Sequence, residues 1–166
     1  MATLRFRSMN SPVGKLTLAG KDRRLMHLRM VDQTYEPSHE GWEPDDKAFP
    51  EAVDQLEAYF AGDLLEFELA LDLVGTQFQR RVWALLADIG HGCTTTYGEL
   101  ARELGDPSLA RDVGAAVGRN PLSILVPCHR VVGKGGKLTG YAGGLDRKRF
   151  LLDLEKSGAE PIGTLF

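Results

Sequence analysis

The spacing of apolar residues changes near residue 75, and that change constrains the fold more than any other feature of the chain. Before it, apolar and polar residues mostly alternate. Leu4 and Phe6 alternate with Arg5 and Arg7, and Leu16-Thr17-Leu18, Leu25 to Met30 and Phe67-Glu68-Leu69-Ala70-Leu71-Asp72-Leu73 follow. A period of two places one set of side chains on one face of a strand. Ser11-Pro12-Val13-Gly14 and Lys21-Asp22-Arg23-Arg24 are turn signals between these runs. One stretch differs: Phe49, Ala52, Val53, Leu56, Tyr59 and Phe60 recur at helical spacing, and Gly62 ends them. Residues 31–46 are polar, hold Pro37, Gly41 and Pro44, and are expected to form a long surface loop. The first part therefore reads as a small mixed sheet with one helix, residues 1–75.

From Thr76 the helical period takes over. Thr76 and Gln79 form a T-x-x-Q capping box, followed by an apolar face of Phe78, Val82, Leu85, Leu86 and Ile89 that Gly90 stops. Thr96 and Glu99 form a second box for a short helix holding Leu100 and Leu104 and ending at Gly105. Asp106-Pro107 starts another helix at once, running to about Val117. Two short helices joined by a tight glycine turn read as a helix-turn-helix. Asp146 is expected to cap a last helix, with Phe150, Leu151 and Leu154 as its buried stripe. The fold class is α+β, with a mostly helical second domain over residues 76–166.

Net charge is −3, which argues against a generally basic nucleic-acid binder. Its distribution says more. Residues 1–75 carry eight lysines and arginines against fourteen aspartates and glutamates; residues 76–166 carry twelve against nine. The basic half could meet a polyanion, although two ordinary solvated surfaces would give the same split. No apolar run reaches the roughly 18–20 residues that cross a bilayer. The start, Met1-Ala2-Thr3-Leu4-Arg5-Phe6-Arg7, has no secretory core. Two cysteines cannot build a disulfide framework, and no ligand cluster demands a metal. A cytoplasmic protein without membrane contact is expected.

Chemistry concentrates in Asn120-Pro121-Leu122-Ser123-Ile124-Leu125-Val126-Pro127-Cys128-His129-Arg130-Val131-Val132. Positive neighbours favour the thiolate of a cysteine, its nucleophilic form. In a regular strand Cys128 and His129 would point to opposite faces. Their cooperation needs a bend, which Pro127 could supply, or a bridging water. Taken alone, a Cys-His pair fits a structural role as well. Cys93, in a Gly-Cys-Thr turn, has no such neighbours.

Pro127-Cys128-His129-Arg130-Val131 resembles the signature of the O6-alkylguanine-DNA alkyltransferases, in a form similar to the bacterial single-chain repair enzymes. The resemblance extends through Thr76-Gln77-Phe78-Gln79, Tyr97-Gly98-Glu99-Leu100, Ala110-Arg111, Gly114, Arg119-Asn120-Pro121 and Gly140-Tyr141-Ala142-Gly143-Gly144 to Leu151 and Glu155. The first half matches in layout only. The resemblance implies a ribonuclease-H-like α/β first domain and a winged-helix-like second domain. It also implies direct reversal of DNA damage by a single-turnover suicide enzyme. The O6-alkyl group of a flipped guanine, or the O4-alkyl group of thymine, would pass irreversibly to Cys128.

The same resemblance assigns roles. His129 would take the Cys128 proton through water, and Glu155 would orient His129; unaided, Glu155 reads as a solvated helix residue. Asn120 would brace the turn, or simply follow a helix end. Tyr97 would donate to the leaving base, or be a half-buried aromatic. Tyr141 and the backbone of Val131 would contact the base, and Gly143 and Gly144 would shape the pocket wall. Gly114, Ala115 and Gly118 would give the second helix of the pair a small outer face for the minor groove. Arg111 would fill the space left by the flipped base, where an exposed salt-bridging arginine is the plainer reading. Arg147, Lys148 and Arg149 would meet phosphates. Asp112 departs from the family, which has a small residue there. No cofactor is implied, and the protein would be a monomer when free of DNA. A non-catalytic lesion sensor or regulator of the alkyltransferase-like type is the alternative, and a thiol hydrolase with a Cys-His-Glu set is a further one. Retention of Cys128 with His129 and Glu155 favours the enzyme.

Overall fold

The computed structural model describes residues 3–34 and 36–159, with side chains to Lys156. Met1 and Ala2 of the expected N-terminal segment, Tyr35 of the expected loop, and residues 160–166 of the expected second domain lie outside the described residues. Strands β1 (Arg5–Met9), β2 (Leu16–Lys21) and β3 (Arg24–Met30) form an antiparallel meander. Asp22 and Arg23, with φ of 52° and 67°, make the tight β2–β3 turn. Both central residues at positive φ give the twist that adjoining strands require.

Two expectations for the first domain change. The loop after β3 contains a short strand, β4 (Glu43–Pro44), which pairs in parallel with β1 and completes the sheet order β3-β2-β1-β4. Residues 67–73 alternate as a strand should, yet they join the sheet at one bridge, Leu25 to Leu71. Leu25 N–H donates to Ala70 O and Asp72 N–H to Leu25 O, and no longer ladder forms. The alternation marks a half-buried extended segment without strand pairing. Helix α1 (Pro50–Phe60) lays Ala52, Leu56 and Tyr59 into the core, and Gly62, at φ 82°, turns the chain out of it.

Helix α2 (Gln77–Ala87) starts with both bonds of the Thr76–Gln79 capping box. Its most buried residues are Val82, Trp83 and Leu86; Phe78, Leu85 and Ile89 pack around them half-buried. Trp83 was not part of the expected face, and its Nε1–H donates to Ala116 O at 2.8 Å. Strand β5 (Thr95–Thr96) leads into helix α3 (Tyr97–Glu103). The second capping box forms by half: Thr96 Oγ1 accepts from Glu99 N–H, but the Glu99 carboxylate pairs with Arg102 instead. A 3-10 turn, Pro107–Leu109, capped by Asp106, feeds helix α4 (Ala110–Gly118). Strand β6 (Val131–Val132) pairs in parallel with β5. Helix α5 (Leu145–Ala159) begins one residue before Asp146, so that aspartate sits in the first turn and does not cap it. Of its expected stripe, Leu151 is buried and Leu154 half-buried, but Phe150 is exposed.

The two halves share one core, from Leu16, Leu28 and Leu56 to Val82, Val113, Leu122 and Leu151. Strand β3 pairs across the boundary: Leu28 N–H donates to Pro121 O, and Ser123 N–H to Leu28 O. This covers an otherwise open sheet edge with the segment that leads to Cys128. No helix among the described residues is long and apolar enough to cross a membrane.

Candidate active site

The site is built on the chain that leaves α4. Asn120 is buried and spends its amide on the turn that follows. Its Oδ1 accepts from Leu122 N–H at 3.0 Å, and its Nδ2 donates to Val126 O at 2.7 Å and reaches the Cys128 sulfur. Between them lies Ile124 at φ 72°, a left-handed conformation that costs a β-branched residue energy and persists only where its surroundings enforce it. Pro127 then turns the chain into a 3-10 turn, Cys128–Arg130. With about three residues per turn, successive side chains leave in three directions. The bend expected at Pro127 forms, but it makes no direct hydrogen bond between Cys128 and His129, whose Nδ1 has no partner.

His129 is fully buried and its Nε2 lies 2.7 Å from Glu155 Oε2 on α5. Glu155 is 1% exposed, so the solvated reading of that residue fails. Arg130 binds the same carboxylate with two nitrogens, Nε to Oε1 at 2.8 Å and Nη2 to Oε2 at 2.9 Å, and donates from Nη1 to Ile89 O. Tyr59 of α1 adds a hydrogen bond to Oε2 at 2.6 Å. Burial opposes the charge on Glu155, but donors from His129, Arg130 and Tyr59 outweigh it and hold the carboxyl far below its ordinary range. Burial pushes the His129 imidazole down, towards the neutral form. An ionised Glu155 can only accept, so Nε2 carries the proton of neutral His129. Nδ1 is left as the basic nitrogen, buried and without a hydrogen-bond partner.

The expected lowering of the Cys128 pKa is not what the structure gives. Burial pushes the thiol up, and the Asn120 amide and the Lys148 charge oppose that rise only in part. Its sequence neighbours do not supply the positive charge: His129 is neutral and Arg130 is committed to Glu155. Cys128 is therefore held towards the neutral thiol. Tyr97 and Tyr141 both lie close enough to Cys128 to sense a thiolate there, and burial raises both phenols. The Tyr141 hydroxyl is buried and lacks a well-aligned partner. Tyr97, Gly114, Gly118, Tyr141, Ala142 and Thr34 belong to the lining of a pocket of ≈ 210 Å³ on the α4 side. The Tyr97 ring comes within 3.7 Å of the space a Cβ on Gly114 would fill. A larger cavity, ≈ 760 Å³, lies in the first domain around Phe49 and Leu69 and holds none of these groups.

Several predicted residues are placed differently. Lys148 is fully buried, with Nζ donating to Thr139 O at 2.7 Å and Gly140 O at 3.2 Å, so it clamps the loop before α5 and cannot reach a phosphate. Arg147 donates to Val31 O and Gly143 O, which ties that loop to the first domain. Gly143 and Gly144 are absent from the pocket lining, whose loop wall is Gly140, Tyr141 and Ala142. Gly143 is needed for close approach instead: a Cβ there would lie 2.6 Å from Met30 Sδ and 2.8 Å from the Tyr141 ring. Val131 is buried and its N–H donates to Cys128 O. Arg111 is exposed at the start of α4, and Val113, Ala116 and Val117 face the core. Sequence reasoning missed Tyr59, Arg130 as a Glu155 partner, and Thr34, whose N–H and hydroxyl both donate to Ala142 O. Tyr59 carried a signal only as one more apolar position of a helix.

A buried His129–Glu155 pair next to buried Cys128, beside a small pocket and a helix-turn-helix, makes a candidate cysteine-centred site on a nucleic-acid-binding type of scaffold. Comparison with known proteins agrees in both halves. Residues 4–73 match the family described as "6-O-methylguanine DNA methyltransferase, ribonuclease-like domain", and residues 77–157 match "6-O-methylguanine DNA methyltransferase, DNA binding domain". The methylated-DNA–protein-cysteine methyltransferase of Mycobacterium tuberculosis (strain ATCC 25618 / H37Rv) is 58% identical over 163 residues, 98% of this chain and 99% of that protein. The crystal structure of M. tuberculosis O6-methylguanine methyltransferase superposes with a TM-score of 0.90 at 57% identity, covering 99% of each chain. The M. tuberculosis OGT in complex with DNA gives a TM-score of 0.91 at 59% identity, covering 93% of this chain and 94% of that one. The chain belongs to the 6-O-methylguanine DNA methyltransferase family.

Proposed function

We propose that this protein repairs DNA by moving the alkyl group from O6 of guanine, or O4 of thymine, to Cys128 in one irreversible turnover. The observation that carries this reading is the buried relay: a resting thiol, a neutral His129 with a free Nδ1, and an ionised Glu155 fixed by donors. As Cys128 attacks, its proton passes to His129 Nδ1 through a bridging water. The imidazolium formed is stabilised by Glu155. The sulfur forms a bond to the alkyl carbon as the bond from that carbon to O6 breaks. The guanine leaves as an anion, and the Tyr97 hydroxyl supplies the proton that neutralises it. A soft thiolate suits attack at an alkyl carbon, where a serine alkoxide would need far more activation. Tyr141 and the Val131 backbone frame the base, and Gly143 and Gly144 act by holding the loop that carries Tyr141.

The base must leave the duplex to reach Cys128, at a cost of a few kcal/mol. Helix α4 presents Gly114, Ala115 and Gly118 to a minor groove, and exposed Arg111 fills the vacated stack. Of the three phosphate contacts expected near the start of α5, exposed Arg149 keeps the role. We set the domain boundary at residues 75 and 76 and assign the protein to the cytoplasm as a monomer when DNA is absent. Incubation with an oligonucleotide duplex containing O6-methylguanine, followed by mass spectrometry, tests the reading. One methylene added at Cys128, stoichiometric and abolished in Cys128→Ser, is expected. Tight binding without an adduct would instead support a lesion sensor, and turnover beyond one equivalent a hydrolase.

A further inference from the structure

The first domain has no assigned part in the chemistry, yet one of its side chains touches the relay. Tyr59 lies on α1, is 1% exposed, and donates to the carboxylate oxygen of Glu155 that also receives His129 Nε2. We propose that Tyr59 is a positioning residue of the alkyl-transfer site, whose hydroxyl fixes Glu155 Oε2 so that His129 keeps its proton on Nε2 and offers Nδ1 to the thiol. This rests on the alkyl-transfer reading and adds the first domain to it.

Glu155 Oε2 accepts three hydrogen bonds, from Tyr59, His129 and Arg130, while Oε1 accepts one from Arg130. Arg130 holds one edge of the carboxylate through Nε and Nη2, which leaves the carboxylate able to tilt about that edge, away from the imidazole. The phenol occupies that remaining direction. It also draws electron density from Oε2, which limits how strongly Glu155 favours the imidazolium over neutral His129. Burial and the Glu155 charge hold the phenol protonated, so it acts as a donor only. The other groups facing this cluster are Arg130, Lys148 and Tyr141, with the His91 ring edge-on to Tyr59 at 6.1 Å. Of these, only Arg130 donates a hydrogen bond to Oε2. Tyr59 packs on Phe60 and Phe67 through its ring, so Tyr59→Phe retains the packing and removes the hydroxyl.

Losing the donor leaves more charge on Oε2 and raises the affinity of His129 for a second proton. In Tyr59→Phe, the acid limb of the pH profile for single-turnover methyl transfer moves up by about half a unit to one unit, so the rate falls about three- to tenfold on that limb and little above it. DNA binding is unchanged. The His129 imidazole titration, followed by nuclear magnetic resonance in the DNA-free protein, moves up by the same amount. Site-specific replacement of Tyr59 by 3-fluorotyrosine, a stronger donor, moves that titration down. An imidazole titration unmoved in both variants overturns the proposal, as does a rate loss in Tyr59→Phe with an unmoved acid limb. If wild-type Cys128 takes no methyl group, the alkyl-transfer reading fails by itself, while the titration still decides whether Tyr59 controls His129.

Discussion

Removing the Arg130 side chain isolates what holds the relay together. Arg130→Met keeps most of the stem volume but strips Glu155 of two of its four hydrogen bonds and of its one permanently positive partner among the described residues. Glu155 is 1% exposed and Arg130 only 7%, so water cannot replace the guanidinium. Breaking a buried pair from one side costs about 3–5 kcal/mol, because a buried charge is left uncompensated. The Ile89 carbonyl also loses its donor, which places the expected loss near the upper half of that range. Urea unfolding at pH 7.5, followed by the fluorescence of buried Trp83, measures it. The double variant Arg130→Met/Glu155→Gln removes the stranded charge and should cost less than Arg130→Met alone. The pH dependence gives a second check. Glu155 has a folded pKa below its unfolded value, so its contribution is present above about pH 4.3 and is lost as acid protonates it. In Arg130→Met that loss begins closer to neutrality. A cost below about 1 kcal/mol, or a double variant as unstable as the sum of the singles, would refute the reasoning.

Asp112 is exposed beside Arg111, so Asp112→Ala should tighten duplex binding roughly two- to fivefold at low salt, with the gain vanishing as salt rises; unchanged affinity across a salt titration removes the argument. Gly143→Ala places a methyl group against Met30 and Tyr141 and should destabilise by about 1–3 kcal/mol in urea unfolding, with partial recovery when Met30 is shortened to Ala. His27 is held neutral by burial and by the neighbouring Arg29, its pKa pushed down to about 4. The unfolded chain takes up that proton first, so stability is full above about pH 6.5 and falls as pH drops towards 4. Discounted for partial exposure, the loss is about 2 kcal/mol, and unfolding midpoints at pH 7 and pH 5 should converge in His27→Gln.

The residues that act through backbone pattern were legible in the sequence. Periodicity located the sheet meander, α1, α2 and the helix pair, because each buries one stripe of side chains. The Thr76–Gln79 box was legible because both its bonds are local. The Thr96–Glu99 box was misread because Arg102, three residues on, competes for the same carboxylate. Residues 67–73 show the limit of alternation: a period of two reports half-burial, and only a partner strand makes a ladder. In the site, Cys128, His129 and Glu155 were placed by resemblance, whereas Lys148 and Arg130 were misjudged by sign of charge alone. Both are cations that the fold takes inside, one to hold carbonyls and one to hold a carboxylate. Tyr59 could not be read, since its partner lies 96 positions away and its spacing marks only a helix face.

The bridge between β3 and the segment before Cys128 bears on what a domain means here. Two family modules meet near residue 75, but Leu28 gives and receives backbone hydrogen bonds across that border, and Thr34 and Arg147 stitch it further on. Modules joined through a shared sheet edge do not melt in separate steps. A chain cut by a protease between Leu73 and Thr76 should elute as one particle, and its fragments should part only when the whole molecule unfolds.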